Sequence, residues 1–295
     1  MITIKAFNKG LICRDFQYEV GKIYEIPRKD VEICKHGFHA SANCDISETV
    51  CYYSVSEDTE YALVDINVVE KYDDKVVGDK IKIIRKITDL DELIEYDKTG
   101  EWCYRYAKNV DDSDVKKLQT AVVQRDKIGK WCYLFAKNIN GADVEKLQNI
   151  VIQKDKEGQL SYYFALDVEN ANVEKLQNVV IEKDVGGIWS YYFALCVKNA
   201  DVERLQDAVI KKDRDGVWCY YFAKDIKNSD IKRLQTAVIR KDETGRWCTC
   251  FAINVKNADV EKLQDAVYRK DKTGEWYTYF SENITNLQKD VKKDT

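Results

Sequence analysis

The chain contains one proline in 295 residues. Proline locks φ and removes a backbone donor, so its scarcity leaves almost nothing to interrupt a helix. Histidine is nearly absent too. With His36 and His39 as the only imidazoles, histidine acid–base chemistry is confined to one short stretch. No apolar run approaches the ~18 residues of a membrane span, and the opening MITIKAFNKGLICRDF lacks the apolar core of a signal peptide. A membrane partner is therefore not expected. Excess charge of either sign is also missing: 47 Lys and Arg face 51 Asp and Glu, a net charge of −4. Phosphate contacts dominate nucleic-acid affinity and leave a basic footprint, so no direct nucleic-acid partner is expected. G-x-x-x-x-G-K, H-E-x-x-H and G-x-S-x-G do not occur. The reading is of a non-enzymatic protein with no catalytic residue and no cofactor.

What is present is a repeat. Trp102, Trp131, Leu160, Trp189, Trp218, Trp247 and Trp276 recur every 29 residues. A period of about 20–50 residues marks stacked-repeat architecture. In the block from Trp131 to Gln159, Trp131, Phe135 and Ile139 define one face of a first helix over 131–138. A second helix starts after Asp143, whose equivalents are Asp114, Asn172, Asp201, Asp230 and Asp259. Asp and Asn are favoured N-caps because their side-chain oxygen accepts an orphan backbone N–H. Val144, Leu147, Ile150 and Val151 supply its apolar stripe, and Gly158 is read as its C-cap. Gln119, Gln148, Gln177, Gln206, Gln235 and Gln264 share one position, read as a structural ladder in which each amide bonds a loop backbone. The array starts with a half repeat at 89–101 and ends in a polar tail at 286–295, read as a soluble cap.

Ten cysteines are present, but Cys103, Cys132, Cys219 and Cys248 share a repeat position with Ser161 and Ser190. A site that accepts Cys or Ser wants a small side chain, which implies reduced thiols and a cytoplasmic location.

Divergent positions are where a repeat protein carries specificity. One reads Lys108, Lys137, Leu166, Leu195, Lys224, Ile253, Glu282; another reads Arg105, Leu134, Tyr163, Tyr192, Tyr221, Cys250, Tyr279. Tyr163, Leu166, Tyr192, Leu195, Tyr221 and Ile253 are the candidate partner-binding residues, forming an aromatic and aliphatic strip. Three uses of such a strip stand open: a partner surface, core between layers, and a homo-oligomer contact.

Residues 1–88 lack the repeat. Strands are expected at 2–7, 22–26, 61–69 and 80–87, with a short helix over 45–53. KAFNKGLICRDFQYEVGKIYE, then C-x-x-GFHA from Cys34 to Ala40, then Tyr52–Tyr53 and DKIKI, resemble an uncharacterised N-terminal domain of phage and prophage proteins over residues 3–86. Ser41 stands where that family often has cysteine. The resemblance implies a viral or prophage origin and a host protein or complex as partner, inhibited by direct binding, such as an antiviral defence complex in the bacterial cytoplasm. GFHAS followed by a helix also resembles the strand-then-helix element of ADP-ribosyltransferase-like folds. That alternative implies a nucleotide-binding N-terminal domain targeted by the repeats, with Arg14, His39, Ser41 and a later acid such as Glu70 as candidates. Cys34, His36, His39 and Cys44 are chemically able to bind zinc, but C-x-H-x2-H-x4-C is not a standard zinc spacing, and no metal is expected.

The sequence thus predicts an α+β N-terminal domain at 1–88 and an all-α solenoid of two-helix repeats at 89–295. Its expected function is protein binding; the other readings are the nucleotide-binding one and a self-assembling structural protein.

Overall fold

The structure, a computed structural model, describes residues 1–32 and 34–291, with side chains through 284. The tail at 286–295 lies outside the residues whose side chains are described. The chain divides into two compact units, Met1–Lys154 and Asp155–Thr295.

The first unit begins with an antiparallel sheet of β1 (Ile2–Asn8), β2 (Ile12–Cys13), β3 (Phe16–Gln17), β4 (Ile23–Glu25), β5 (Phe38–Ser41), β6 (Thr59–Lys71) and β7 (Lys75–Ile87). The order is β3-β2-β1-β6-β7-β4, with β5 also on β7. The long hairpin β6–β7 carries register irregularities at Leu63/Val64, Asn67/Val68 and Val68/Glu70. Bulges bend a strand, and here β4 and β5 share the β7 edge, at Lys80–Lys82 and Lys75–Gly78. Gly78 sits at the bend because a Cβ there would lie 2.3 Å from the Asn67 carbonyl oxygen. The sheet curls until β1 meets β5: Thr3 Oγ1 donates to the Ser41 carbonyl at 2.7 Å, and Lys5 Nζ to that of His39 at 2.9 Å. Phe7, Leu11, Tyr18, Phe38, Val64, Ile66, Val76, Ile81 and Ile83 fill the curl.

One expectation for this region changes. The stretch over 45–53 is a single 3-10 turn, Ile46–Thr49. The Asp45 carboxylate takes the Ser47 N–H and hydroxyl, and the Thr49 hydroxyl bonds the Ile46 carbonyl, so side chains compete with a longer helix. Phe38, His39 and Ala40 of GFHA lie with Ser41 on β5, too short for alternation to be visible in sequence.

Helices α1 (Leu90–Glu95), α2 (Glu101–Asn109), α3 (Val115–Arg125), α4 (Lys130–Asn138) and α5 (Val144–Lys154) complete the first unit. Trp102, fully buried, donates Nε1–H to the Tyr61 hydroxyl at 2.9 Å and meets that ring edge-on. The sheet thus covers the first helix pair.

The second unit is all helical: α6 (Gln159–Asp167), α7 (Val173–Lys183), α8 (Ile188–Cys196), α9 (Val202–Lys212), α10 (Val217–Asp225), α11 (Ile231–Lys241), α12 (Arg246–Asn254), α13 (Val260–Lys270) and α14 (Glu275–Val291). The helices pack as pairs, one pair per repeat, as expected of an all-α solenoid. Phe135, Phe164, Phe193, Phe222, Phe251 and Phe280 are essentially buried at one repeat position, each stabilising its repeat by about 2–3 kcal/mol. Trp189, Trp218 and Trp247 are only half-buried, so phenylalanine rather than tryptophan anchors the core.

The joints are polar and recur. Asp184 Oδ1 accepts the Gly187 N–H at 3.0 Å, while Oδ2 accepts both the N–H and the hydroxyl of Ser190 at 2.8 Å. Asp97, Asp126, Asp155, Asp213 and Asp242 repeat the backbone part of this arrangement. Gly158 and its equivalents are therefore N-caps of the following helix, not C-caps of the preceding one. Gly158 has φ +83°, and a Cβ there would lie 3.1 Å from Val180 Cα, so the position needs glycine for both conformation and closeness. The N-caps expected for the second helices form: Asp201 accepts the Arg204 N–H, and Asn172 that of Lys175. The glutamines bond as a ladder, with Gln119 accepting from Asp143, Gln177 from Asp201, Gln206 from Asp230 and Gln235 from Asp259, all through backbone N–H at 2.7–2.8 Å. Lys183 donates to the Asp155 carbonyl at 2.6 Å, and Lys154, Lys241 and Lys270 reach the corresponding carbonyls of Asp126, Asp213 and Asp242. Cations are favoured where a helix ends and its carbonyls lack partners.

Candidate functional site

Two regions collect chemistry that the fold does not consume. The first lies on the first helices of the repeats in the second unit. Residues three apart on a helix are neighbours, so Tyr163 stands beside Leu166 on α6, and Tyr192 beside Leu195 on α8. Leu166 and Leu195 are 41% and 43% exposed. The tyrosines are half-buried because each leans on the next repeat's tryptophan: Tyr163 on Trp189 at 6.1 Å, Tyr192 on Trp218 at 6.2 Å and Tyr221 on Trp247 at 6.1 Å. Tyr162, Tyr191 and Tyr220 contact the same three tryptophans at 5.5–5.8 Å. The result is a ladder of rings, each contact contributing about 0.5–1.5 kcal/mol beyond its buried area. The aliphatic strip is not continuous. Between Leu195 and Ile253, Lys224 places its ammonium 5.8 Å from the Tyr221 ring centre, and Ile253 is half-buried.

The second region is a cleft of about 800 Å³ in the curl of the N-terminal sheet. Lys5, Cys13, Arg14, Phe16, Tyr18, Cys34, His39, Ser41, Tyr52, Tyr53 and Lys75 are among its lining residues. The fold therefore brings Arg14, His39 and Ser41 together, but Glu70 is exposed on β6 and is not part of the lining. The acidic partner that a transferase-like site would need is not at that position.

His39 is held by both ring nitrogens: Nε2 accepts the Cys34 N–H at 3.0 Å, and Nδ1 lies 3.1 Å from the Gly37 carbonyl. Burial, reinforced by Lys5, Arg14 and Lys75, brings its pKa down to about 4, so the imidazole is neutral at pH 7. The Ser41 hydroxyl accepts the Asp45 N–H at 2.9 Å and lies 3.1 Å from Thr3 Oγ1. Burial pushes the Lys5 ammonium below the usual lysine range. Tyr53 donates its hydroxyl to Cys13 Sγ at 2.9 Å, and burial raises its pKa.

The cysteine and histidine cluster behaves differently from a metal centre. Among the described residues, no group of three or more His, Cys, Asp or Glu side chains is arranged to hold an ion. All ten cysteines are free. Burial beside an Asp carboxylate raises the pKa of Cys103, Cys132, Cys219 and Cys248 well above the ordinary thiol range, which keeps them protonated and unreactive. Among the described residues, no helix is long and apolar enough to cross a membrane.

Residues 1–95 match the family described as Domain of unknown function (DUF7666). The match covers the whole sheet and continues through α1. No curated protein and no solved structure matches the chain.

Sequence reasoning passed over Lys5, Lys75 and the recurring aspartates. A signal existed for Lys5: in ITIKAF it shares strand parity with Thr3 and Phe7, so it points to a buried face. The aspartates were visible as D-x-x-G every 29 residues.

Proposed function

We propose that the helical repeats bind another protein, without catalysis, through Tyr163, Leu166, Tyr192 and Leu195, with Tyr221 and Ile253 extending the surface. The exposure of two leucines on successive repeats, each beside a tyrosine that rests on a tryptophan, carries this reading. Exposed apolar patches mark interaction surfaces, and tyrosine is enriched at hot spots. Side chains already held in place lose little further freedom on docking. The resemblance of residues 3–86 to a module of phage and prophage proteins supports a phage-encoded protein acting in the cytoplasm of a bacterial host. Its partner is then a host protein or complex, such as one serving antiviral defence.

The test is affinity capture from bacterial lysate with the wild type and the Leu166→Glu/Leu195→Glu variant, read by mass spectrometry alongside circular dichroism and light scattering. The expected result is a stoichiometric partner held by the wild type and lost from a variant with unchanged helicity. Unfolding of the variant sinks the surface reading and makes these leucines core. A wild-type oligomer that the variant dissociates points to self-association instead.

A further inference from the structure

The N-terminal cleft gathers three cations, Lys5, Arg14 and Lys75. Lys5 is 4% exposed, and its ammonium donates to the neutral His39 carbonyl. Arg14 spends its guanidinium on the carbonyls of Lys35 and Cys34, at 2.8 and 3.4 Å. Lys75 reaches Cys34 Sγ and the Tyr52 hydroxyl, both at 3.0 Å. Among the described residues, none of the three forms an ion pair, and each lining carboxylate bonds another partner. Glu48 accepts the Asn43 N–H, Asp58 pairs with Lys9, and Asp74 accepts the Tyr52 hydroxyl at 2.6 Å. The other imidazole, His36, lies 2.9 Å from the Asp30 carbonyl. Lys5 is the buried one of the three, and a buried charge without an ion-pair partner is costly. Lys5, Arg14 and Lys75 all act on His39 to disfavour its protonation, so their positive fields overlap inside the cleft.

The same cleft presents aromatic surface. Phe16 and Tyr52 line it and remain 49% and 52% exposed. Phe16, Tyr18 and Tyr24 meet edge to face at 4.8–5.3 Å, which holds the Phe16 ring in place. The volume, about 800 Å³, lies within the range of about 300–1,000 Å³ usual for small-molecule sites.

We infer that the cleft binds a nucleoside phosphate, its phosphates neutralising Lys5, Arg14 and Lys75 and its base resting against Phe16 or Tyr52. An inorganic anion would leave the aromatic wall unused, and an uncharged ring would leave the cations unpaired. The site is independent of the surface on the repeats.

Calorimetric titration of the full-length protein with ADP, pyrophosphate and adenosine tests this. Arg14→Gln and Lys75→Gln are suitable variants because both side chains are solvent-facing, and a melting curve for each checks the fold. ADP is expected to bind saturably and more tightly than pyrophosphate or adenosine. A charge-assisted hydrogen bond is strong enough that each variant should weaken ADP by about tenfold or more. Phe16→Ala or Tyr52→Ala should weaken ADP while leaving pyrophosphate unchanged. The inference is overturned if ADP gives no saturable heat at millimolar concentration. It also falls if pyrophosphate or adenosine binds as tightly as ADP, or if both cation variants bind ADP like the wild type.

Discussion

At the scale of single residues, the recurring aspartate does more than any other side chain in the array. Asp184 gathers four donors, the N–H groups of Gly186, Gly187 and Ser190 and the Ser190 hydroxyl. In Asp184→Ala these donors lose their partner, and leaving a buried donor unsatisfied costs about 1–3 kcal/mol. With partial relaxation, a loss of about 2–4 kcal/mol is expected in denaturant unfolding. Ser190→Ala should cost about 1 kcal/mol, and Ser190→Cys less, because Cys132 and Cys219 stand at this position beside their own aspartates. A Ser190→Ala variant as stable as the wild type would show that the hydroxyl contributes nothing, and equal losses for alanine and cysteine would show that the thiol does not replace it. His39 gives a pH signature. Burial, with Lys5, Arg14 and Lys75 nearby, lowers its pKa to about 4, from about 6.5 in an unfolded chain. As pH falls from 6.5 towards 4, the unfolded state takes up the proton and the folded state does not, so stability falls across that window. Solvent reaches part of the ring, so the expected loss is about 1–2 kcal/mol. The difference between wild type and His39→Gln, measured at pH 7 and pH 5, should recover that loss; parallel pH dependences would refute it.

At the scale of elements, the glutamine ladder joins one second helix to the N-cap of the next. Gln206→Ala leaves the Asp230 N–H without its acceptor, and a loss of about 1–2 kcal/mol is expected in a thermal or denaturant melt. Gln264→Ala is the control, because Gln264 is exposed and should be nearly silent. Helices were the most legible elements because caps, apolar period and repeat register all agree in the sequence, and the expected 131–138 helix differs from α4 by one residue. The glycine cap was assigned to the wrong helix because the chain between α5 and α6 is only Asp155–Gly158, where one glycine follows one helix and starts another. In the sheet, β2, β3 and β5 are two to four residues long and carry no readable alternation. The strip positions were legible because neighbouring repeats align them, and sequence divergence flags them. The cleft was legible only in part: Arg14, His39 and Ser41 drew attention as a motif, but Lys5 and Lys75 reach the site through strand pairings distant in sequence.

At the scale of the whole molecule, neighbouring repeats within each unit meet through recurring hydrogen bonds, so stability should build up repeat by repeat. Deleting residues 188–216, one full period, is expected to leave a folded protein whose helical circular dichroism falls in proportion to length. Deleting ten residues from the same region should abolish cooperative folding, because it breaks the register of Asp, Gly and Gln. A folded ten-residue deletion would contradict this account. The joints also share a property with a consequence for how such a gene changes. The Lys183 ammonium, the Gln206 amide and the Asp184 carboxylate all address main-chain atoms, which any repeat can offer. These bonds do not distinguish one neighbour from another. Unequal recombination between repeats would then add or drop a whole unit without requiring compensating changes at the seam, and the array could alter its reach in single 29-residue steps while its exposed side chains drift freely.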